Sequence, residues 1–222
     1  MHQTETVNAD SVVMVKSSEK RYIYNFFKRA MDIIGSLVGI IVLSPVFLIL
    51  AIIIKLDSKG PVIFAHRRLG YKGEIIRIYK FRSMVTNAEE LIEKLPEDQK
   101  LEFYRNFKLD KDPRITKVGN FLRKSSLDEL PQFLNILKGN LTIVGPRPIV
   151  EKEIMMYGDY GKKLLSVKPG LTGFWQVNGR SDTTYEERVM LDMEYIDKRN
   201  LLMDIVIMFK TFGAVFRERG AK

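Results

Sequence analysis

Two adjacent carboxylates, Asp128 and Glu129, stand in the stretch Ser125-Ser126-Leu127-Asp128-Glu129-Leu130-Pro131-Gln132, just after Arg123 and Lys124. A carboxylate among cations, near the positive end of a helix, is stabilised as the anion. That suits a nucleophile or a ligand for a hard cation. The same residues suit an ordinary acidic first turn, since Ser126 and Glu129 fit the S-x-x-E capping box. If Asp128 is the cap instead, Pro131 falls in the first turn, where its missing N–H costs nothing. Either way Leu130, Phe133, Leu134 and Leu137 give one apolar helix face, and Gly139 closes the helix.

The other residue types narrow the chemistry. The 222 residues include no cysteine, which excludes a thiol nucleophile, a disulfide framework and thiolate zinc. His2 and His66 are the two histidines, so a His-rich metal site is excluded and a Ser-His-Asp triad would need one of them. His66 reads as a structural or surface residue. Metal chemistry would rest on carboxylates, which favours a hard ion such as Mg²⁺. Arg147 sits between Pro146 and Pro148, where two fixed φ angles hold it as a clamp for phosphate or as a stiff surface turn. Phe174-Trp175-Gln176-Val177-Asn178-Gly179-Arg180 places the single Trp beside amides and a guanidinium. It would hold a base or sugar, or Trp175 would be core. The net charge of +9 attracts polyanions: nucleic acid, nucleotides or an anionic membrane face.

The elements that must position these residues begin after a polar, aperiodic stretch, residues 1–19, expected to be a mobile tail and not a signal peptide. Residues 20–31 interleave bases and aromatics at helical spacing, as at a membrane surface or on a basic soluble helix. Residues 33–54 carry no charge and are long enough to cross the hydrocarbon, which takes about 20 apolar residues. Ser44-Pro45 interrupts this run, and a kink is expected there, with Ser44 bonding back to a freed carbonyl. Both flanks are basic, through Lys28 and Arg29 before and Lys55, Lys59, Arg67 and Arg68 after. Under the positive-inside rule both ends prefer the cytoplasm. A re-entrant helix satisfies both, and a Pro-kinked spanning helix is the alternative.

Residues 62–68 and 74–81 look like two strands around Leu69 to Gly73, a basic β-hairpin that ends in Lys80-Phe81-Arg82-Ser83-Met84. Helices are expected over 88–95, 97–107, 151–157 and 160–167, with a turn over 168–173. Thr183 and Glu186 fit a second capping box, opening a helix to Arg199 that carries Asp192 and Glu194. A final amphipathic helix over 201–217 would lie on the membrane or on the core. The fold class is mixed α/β and helix-rich: a re-entrant membrane helix kinked at Ser44-Pro45, a small basic hairpin and interfacial amphipathic helices.

Six motifs in order resemble one family, the bacterial sugar transferases, which are monotopic phosphoglycosyl transferases. They are Lys28-Arg29 with Asp32, Ser44-Pro45, Lys80 to Met84, Ser126 to Gln132, Gly145 to Pro148, and Pro169 to Gly173 leading into Trp175 to Arg180. The resemblance covers residue 20 to the end and looks like the minimal catalytic form. It implies residues 20–58 as a juxtamembrane and re-entrant segment and 59–222 as a catalytic domain on the cytoplasmic face of a bacterial cell membrane. It implies transfer of a sugar 1-phosphate from a UDP-sugar, glucose or galactose by the form of the Trp175 motif, to polyprenyl (undecaprenyl) phosphate. Capsule or exopolysaccharide assembly would follow. Asp128 would be the nucleophile, releasing UMP, and Glu129 would bind Mg²⁺. Lys80, Arg82, Arg123 and Arg147 would support the phosphates, and Gln176, Arg180 and Asp192 the nucleotide sugar. Anionic lipids would hold the basic surface, and a homodimer is left open.

Other classes compete. A nucleic-acid-binding protein would explain the charge but not the uncharged run at 33–54. A non-catalytic membrane scaffold or regulator would not need Asp128 or Glu129. A multi-spanning transferase would need more than one apolar run.

Overall fold

The computed structural model describes residues 9–106, 109, 112–179 and 183–216. Its first helix, α1 (Ala9–Asp57), runs the length of the apolar segment. Residues 1–8 of the expected tail lie outside the described residues, and 9–19 are helical. One narrow stripe of α1 faces the rest of the molecule, marked by the buried Asp32, Ser36, Leu50 and Ile54. The opposite face is apolar and exposed, through Ile34, Leu37, Val38, Ile41, Val42, Leu48, Ile49, Ile52 and Ile53. A buried soluble helix hides such residues, whereas a membrane-contacting one leaves them outward.

The helix runs on through Pro45. Proline leaves the carbonyl four residues back without its N–H partner. That carbonyl belongs to Ile41, and the Ser44 hydroxyl donates to it at 2.8 Å. The expected back-bond therefore forms. Glycines let α1 lie close to its support: a Cβ on Gly35 would stand 2.8 Å from Ile143 Cδ1, and one on Gly39 3.1 Å from the Phe133 ring.

The expected hairpin forms. β1 (Ile63–Leu69) pairs antiparallel with β2 (Ile75–Phe81), with His66 opposite Ile78 and Phe64 opposite Lys80. Directly opposed residues share a face, so Phe64, His66, Arg68, Ile76, Ile78 and Lys80 point the same way. Ile76 and Ile78 anchor that face in the core. After α2 (Ala88–Glu93) and α3 (Glu97–Asn106), α4 (Lys117–Lys124) opens on a Thr116 cap whose hydroxyl accepts from Gly119 N.

Between α4 and α5 (Gln132–Lys138) the structure departs from expectation. Ser126 is left-handed, φ 57°, and makes no side-chain cap, so the S-x-x-E capping box does not form. Asp128 and Glu129 lie on a short 3-10 turn, Leu127–Glu129, and Pro131 takes the cap position of α5. The left-handed residue swings the chain away from α4 and aims the two carboxylates at β2. Gly139 closes α5 at φ 83°, as predicted.

Two three-residue strands that the sequence concealed form a parallel pair, β3 (Thr142–Val144) and β4 (Gly170–Thr172). A 3-10 stretch, Glu151–Tyr160, leads to α6 (Gly161–Leu164). The stretch around Trp175 is a short helix, α7 (Phe174–Asn178). The next box is one residue later than predicted, Thr184 with Glu187, and opens α8 (Tyr185–Lys198). The last helix is α9 (Leu201–Phe216). The core joins β2, α5, β3, α8 and α9 around Ile78, Ile136, Val144, Tyr195 and Ile207. Each such fully buried apolar side chain is worth roughly 1.5–3 kcal/mol relative to exposure.

Both flanks of the apolar run of α1 are tied to this one domain. On its N-terminal side, Lys28 Nζ donates to Asp204 Oδ2 at 2.7 Å and to Val144 O at 2.8 Å. Arg29 donates to the terminal carbonyls of α5, Ile136 O at 2.6 Å and Leu137 O at 2.8 Å. Asp32 accepts from Ile143 N at 2.8 Å and Thr142 Oγ1 at 3.0 Å. At the other end Leu50 and Ile54 pack with Phe81 and Leu122.

Candidate active site

Alternation along β2 sends Lys80 to the same face as Ile76 and Ile78, toward the 3-10 turn. Its ammonium lies 2.6 Å from Glu129 Oε1 and 3.6 Å from Asp128 Oδ2. The spacing of strand and turn is set by Asn135, fully buried on α5. Its amide donates to Arg77 O at 2.7 Å and its carbonyl accepts from Tyr79 N at 2.8 Å. A side-chain amide that matches both backbone groups of a strand fixes register as well as distance. Nothing in the sequence singled out Asn135, which sits between Leu134 and Ile136 as an isolated polar residue.

The two carboxyls differ electrostatically. Burial pushes Asp128 up, aided by the neighbouring Glu129 charge, against the pull of Lys80 and Arg123. Burial would raise Glu129 too, but the Lys80 ammonium, with Arg147 and Arg68 behind it, holds its carboxyl below the usual range. Arg123 reaches the Asp128 side from α4, with its Nε donating to Ser83 Oγ at 3.0 Å.

Glu129 and Lys80 form one wall of a cleft of about 510 Å³, counting its open mouth. His66, Arg68, Gln132, Arg147 and Gln176 complete it. Arg147 follows β3 on a turn stapled to β4, with Gly145 N donating to Thr172 O and Gly170 N to Pro146 O, both at 2.8 Å. Its guanidinium makes no hydrogen bond or ion pair among the described residues.

The structure thus brings Lys80, Glu129, Arg147 and Gln176 to one cleft; Asp128 and Arg123 are outside its lining, Asp128 beside Lys80. It does not bring Arg82. That side chain is buried, and its Nη2 donates to Ile54 O at 3.1 Å and Ser58 O at 2.6 Å, capping the C-terminal end of α1. The strand ends at Phe81, so the alternation that aims Lys80 does not extend to Arg82. Asp192 is also displaced: it is fully buried behind the cleft and accepts from Tyr157 OH at 2.8 Å. Burial pushes its carboxyl up to about 7. Trp175 is core, with Arg188 stacked 4.2 Å over its ring, so its face is not open to a base. Arg180 lies outside the described residues. His66, read from sequence as structural or surface, instead lines the cleft.

The bacterial sugar transferase family matches residues 23–218. The chain belongs to that family. The family match takes in α1, the hairpin, the carboxylate pair and the cleft together. Among curated relatives, the undecaprenyl-phosphate galactose phosphotransferase of Salmonella typhimurium is 46% identical over 199 residues, 88% of this chain and 42% of that protein. The exopolysaccharide production protein ExoY of Rhizobium meliloti is 38% identical over 221 residues, 98% of each chain. The UDP-glucose:undecaprenyl-phosphate glucose-1-phosphate transferase of Escherichia coli is 38% identical over 230 residues, 98% of this chain and 46% of that protein. The chain therefore spans less than half of two of these relatives and nearly all of ExoY.

Proposed function

We propose that this sugar transferase moves a hexose 1-phosphate from UDP-glucose or UDP-galactose to polyprenyl phosphate, releasing UMP and initiating exopolysaccharide or capsule assembly. The single observation that carries the reading is the Asp128-Glu129 pair bridged by Lys80, with Lys80 and Glu129 in the wall of a cationic cleft and Asp128 beside them. A scaffold has no use for a buried carboxylate held beside two cations.

In this reading an Asp128 carboxylate oxygen attacks the phosphorus that bears the sugar. The bond from that phosphorus to the bridging oxygen breaks, and UMP leaves with the electron pair. An acyl phosphate now links Asp128 to the sugar phosphate. An oxygen of polyprenyl phosphate then attacks the same phosphorus, the bond to Asp128 breaks, and the carboxylate is regenerated. Lys80 keeps the pair ionised and Arg123 steadies Asp128 from α4. Arg147 and Gln176 orient the diphosphate and its nucleotide side.

The donor set suits Mg²⁺ shared with substrate: Glu129 offers a hard oxygen, and no group of three acidic or imidazole ligands exists among the described residues. Such an ion takes its remaining ligands from phosphate oxygens and water. Bound there, it would neutralise diphosphate charge.

Membrane placement follows from α1. An apolar run bonded to one domain at both flanks, by Lys28 to Asp32 before it and Ile54 after it, does not have those flanks on opposite faces of a bilayer. Together with its exposed apolar face, this supports a segment dipping into the cytoplasmic leaflet, with the bend at Ser44-Pro45. The exposed Leu202, Ile205, Val206, Phe209 and Phe212 of α9 offer a second apolar surface for that leaflet. Anionic head groups would meet the basic flanks.

The test is single-turnover UMP release from each UDP-hexose with Mg²⁺ and no lipid acceptor, paired with intact mass. About one UMP per enzyme and a hexose-phosphate adduct on Asp128 are expected. Asp128→Asn abolishes both, and Glu129→Gln slows release. Full turnover by folded Asp128→Asn protein overturns the covalent mechanism.

A further inference from the structure

Resting on the nucleotide-sugar reading, we propose that His66 and Arg68 of β1 form with Arg147 an anion subsite for the phosphate of the departing UMP. In that subsite His66 acts as a neutral hydrogen-bond donor. Period two along the strand puts both β1 side chains on the cleft face, and both line the cleft with Arg147.

Arg68 is held in place from behind. Its Nη1 donates to Pro148 O at 3.3 Å and Glu153 Oε2 at 3.4 Å. Glu153 is itself fixed by Val150 N at 2.9 Å. This links the hairpin to the turn that carries Arg147, so the two guanidinium groups are set by one rigid connection. Like charges so placed repel: burial and then Arg147 weaken the hold of Arg68 on its proton. Glu153 offsets part of that charge, and Arg147 has no described partner. A bound anion relieves the repulsion.

His66 is committed to one tautomer by the same contact. Arg68 Nε donates to His66 Nδ1 at 3.2 Å. An imidazole nitrogen that accepts carries no proton, so the proton sits on Nε2. Burial, with Arg68, Lys80 and Arg147 around it, pushes the imidazole down to about 4. His66 therefore adds a donor to the cleft without a fourth positive charge. No hydrogen-bond partner for Nε2 exists among the described residues.

The experiment measures binding to the full chain in detergent micelles by titration calorimetry, with UMP, uridine and inorganic pyrophosphate as probes. The variants are His66→Leu, His66→Asn and Arg68→Met. A hydrogen bond to a charged phosphate predicts roughly 10-fold weaker UMP binding for His66→Leu. His66→Asn, which keeps an N–H donor, recovers most of it, and uridine binding stays unchanged in all three. Arg68→Met weakens UMP binding further, since it removes a charge and frees the imidazole. Equal loss for uridine and UMP marks general damage and overturns the subsite, as does wild-type UMP affinity in His66→Leu. Pyrophosphate separates the two readings. Wild-type protein that binds pyrophosphate with the same dependence on His66 and Arg68, but not UMP, supports the subsite and overturns only the uridylate assignment. Wild-type protein that binds neither overturns both.

Discussion

Arg82 tests whether the structure or the motif is the better guide. The motif Lys80 to Met84 suggests a phosphate ligand, whereas the structure uses Arg82 to cap α1. Consider Arg82→Met. Nη2 faces Ile54 O at 3.1 Å, Ser58 O at 2.6 Å and Ser58 Oγ at 3.1 Å. One nitrogen has two hydrogens, so at most two of these bonds are well made at once. Hydrogen bonds involving a charged group are worth about 1.5–3 kcal/mol each. Against that, Nε and Nη1 are buried without partners among the described residues, and removing a buried charge relieves desolvation. The balance is a loss of roughly 2–4 kcal/mol. At about 2–4 °C per kcal/mol for a chain of this size, Tm falls by roughly 5–15 °C. The assay pairs a thermal melt in detergent with KM for the UDP-sugar on the folded fraction. KM should stay within about 3-fold of wild type, because uniform binding energy is untouched. Arg82→Lys keeps the charge but loses the fork, and should fall between. An unchanged melt with a KM raised about 10-fold or more would refute the capping role and restore the motif-based one.

Lys80→Met removes the cation that holds Glu129 down and offsets part of the rise of Asp128. Their ionised fraction then falls on the acid side, so the loss in kcat/KM should deepen from pH 8 to pH 6; a loss independent of pH counts against it. For Asp192 the folded value of about 7 lies above the ordinary carboxylate value of 3.8. Folding therefore favours the proton. Stability should decline as pH rises from about 4 to about 7, by up to about 4 kcal/mol. Asp192→Asn should flatten that slope in denaturant titrations, and an unaltered slope would exclude Asp192 as its source. The chain has no cysteine, so Arg21→Cys and Lys59→Cys can be labelled cleanly in vesicles. Both should react from the cytoplasmic side only, and labelling from opposite sides would establish a spanning helix.

What the sequence disclosed follows physical lines. The hairpin was legible because two runs rich in β-branched and aromatic residues flank the turn Leu69 to Gly73, and α5 ended where Gly139 could turn left-handed. β3 and β4 were hidden: three residues cannot display a period, and Gly170 speaks for a turn. The Ser126 box failed for a reason no local pattern contains, since the carboxylates are needed at β2 and the chain must twist left-handed to deliver them. The conjunction of Lys80, Asp128 and Glu129 was foreseen by resemblance, and the distances come from Asn135, whose type and place carry no signal. His66 was undervalued because its surroundings are assembled from β1, β2 and the Arg147 turn, far apart in the chain.

The ties at both flanks of the apolar run of α1 bear on how the protein suits different membranes. A helix that crosses must match its apolar length to hydrocarbon thickness, and it tilts or deforms the bilayer when it does not. Under the one-leaflet reading α1 has no far side to reach. Its depth is set by the domain that grips Lys28, Arg29 and Asp32 at one end and Ile54 and Ser58 at the other. Thickening the bilayer should therefore leave the height of the carboxylate pair above the head groups unchanged, and activity should follow the composition of the near leaflet and ignore acyl-chain length.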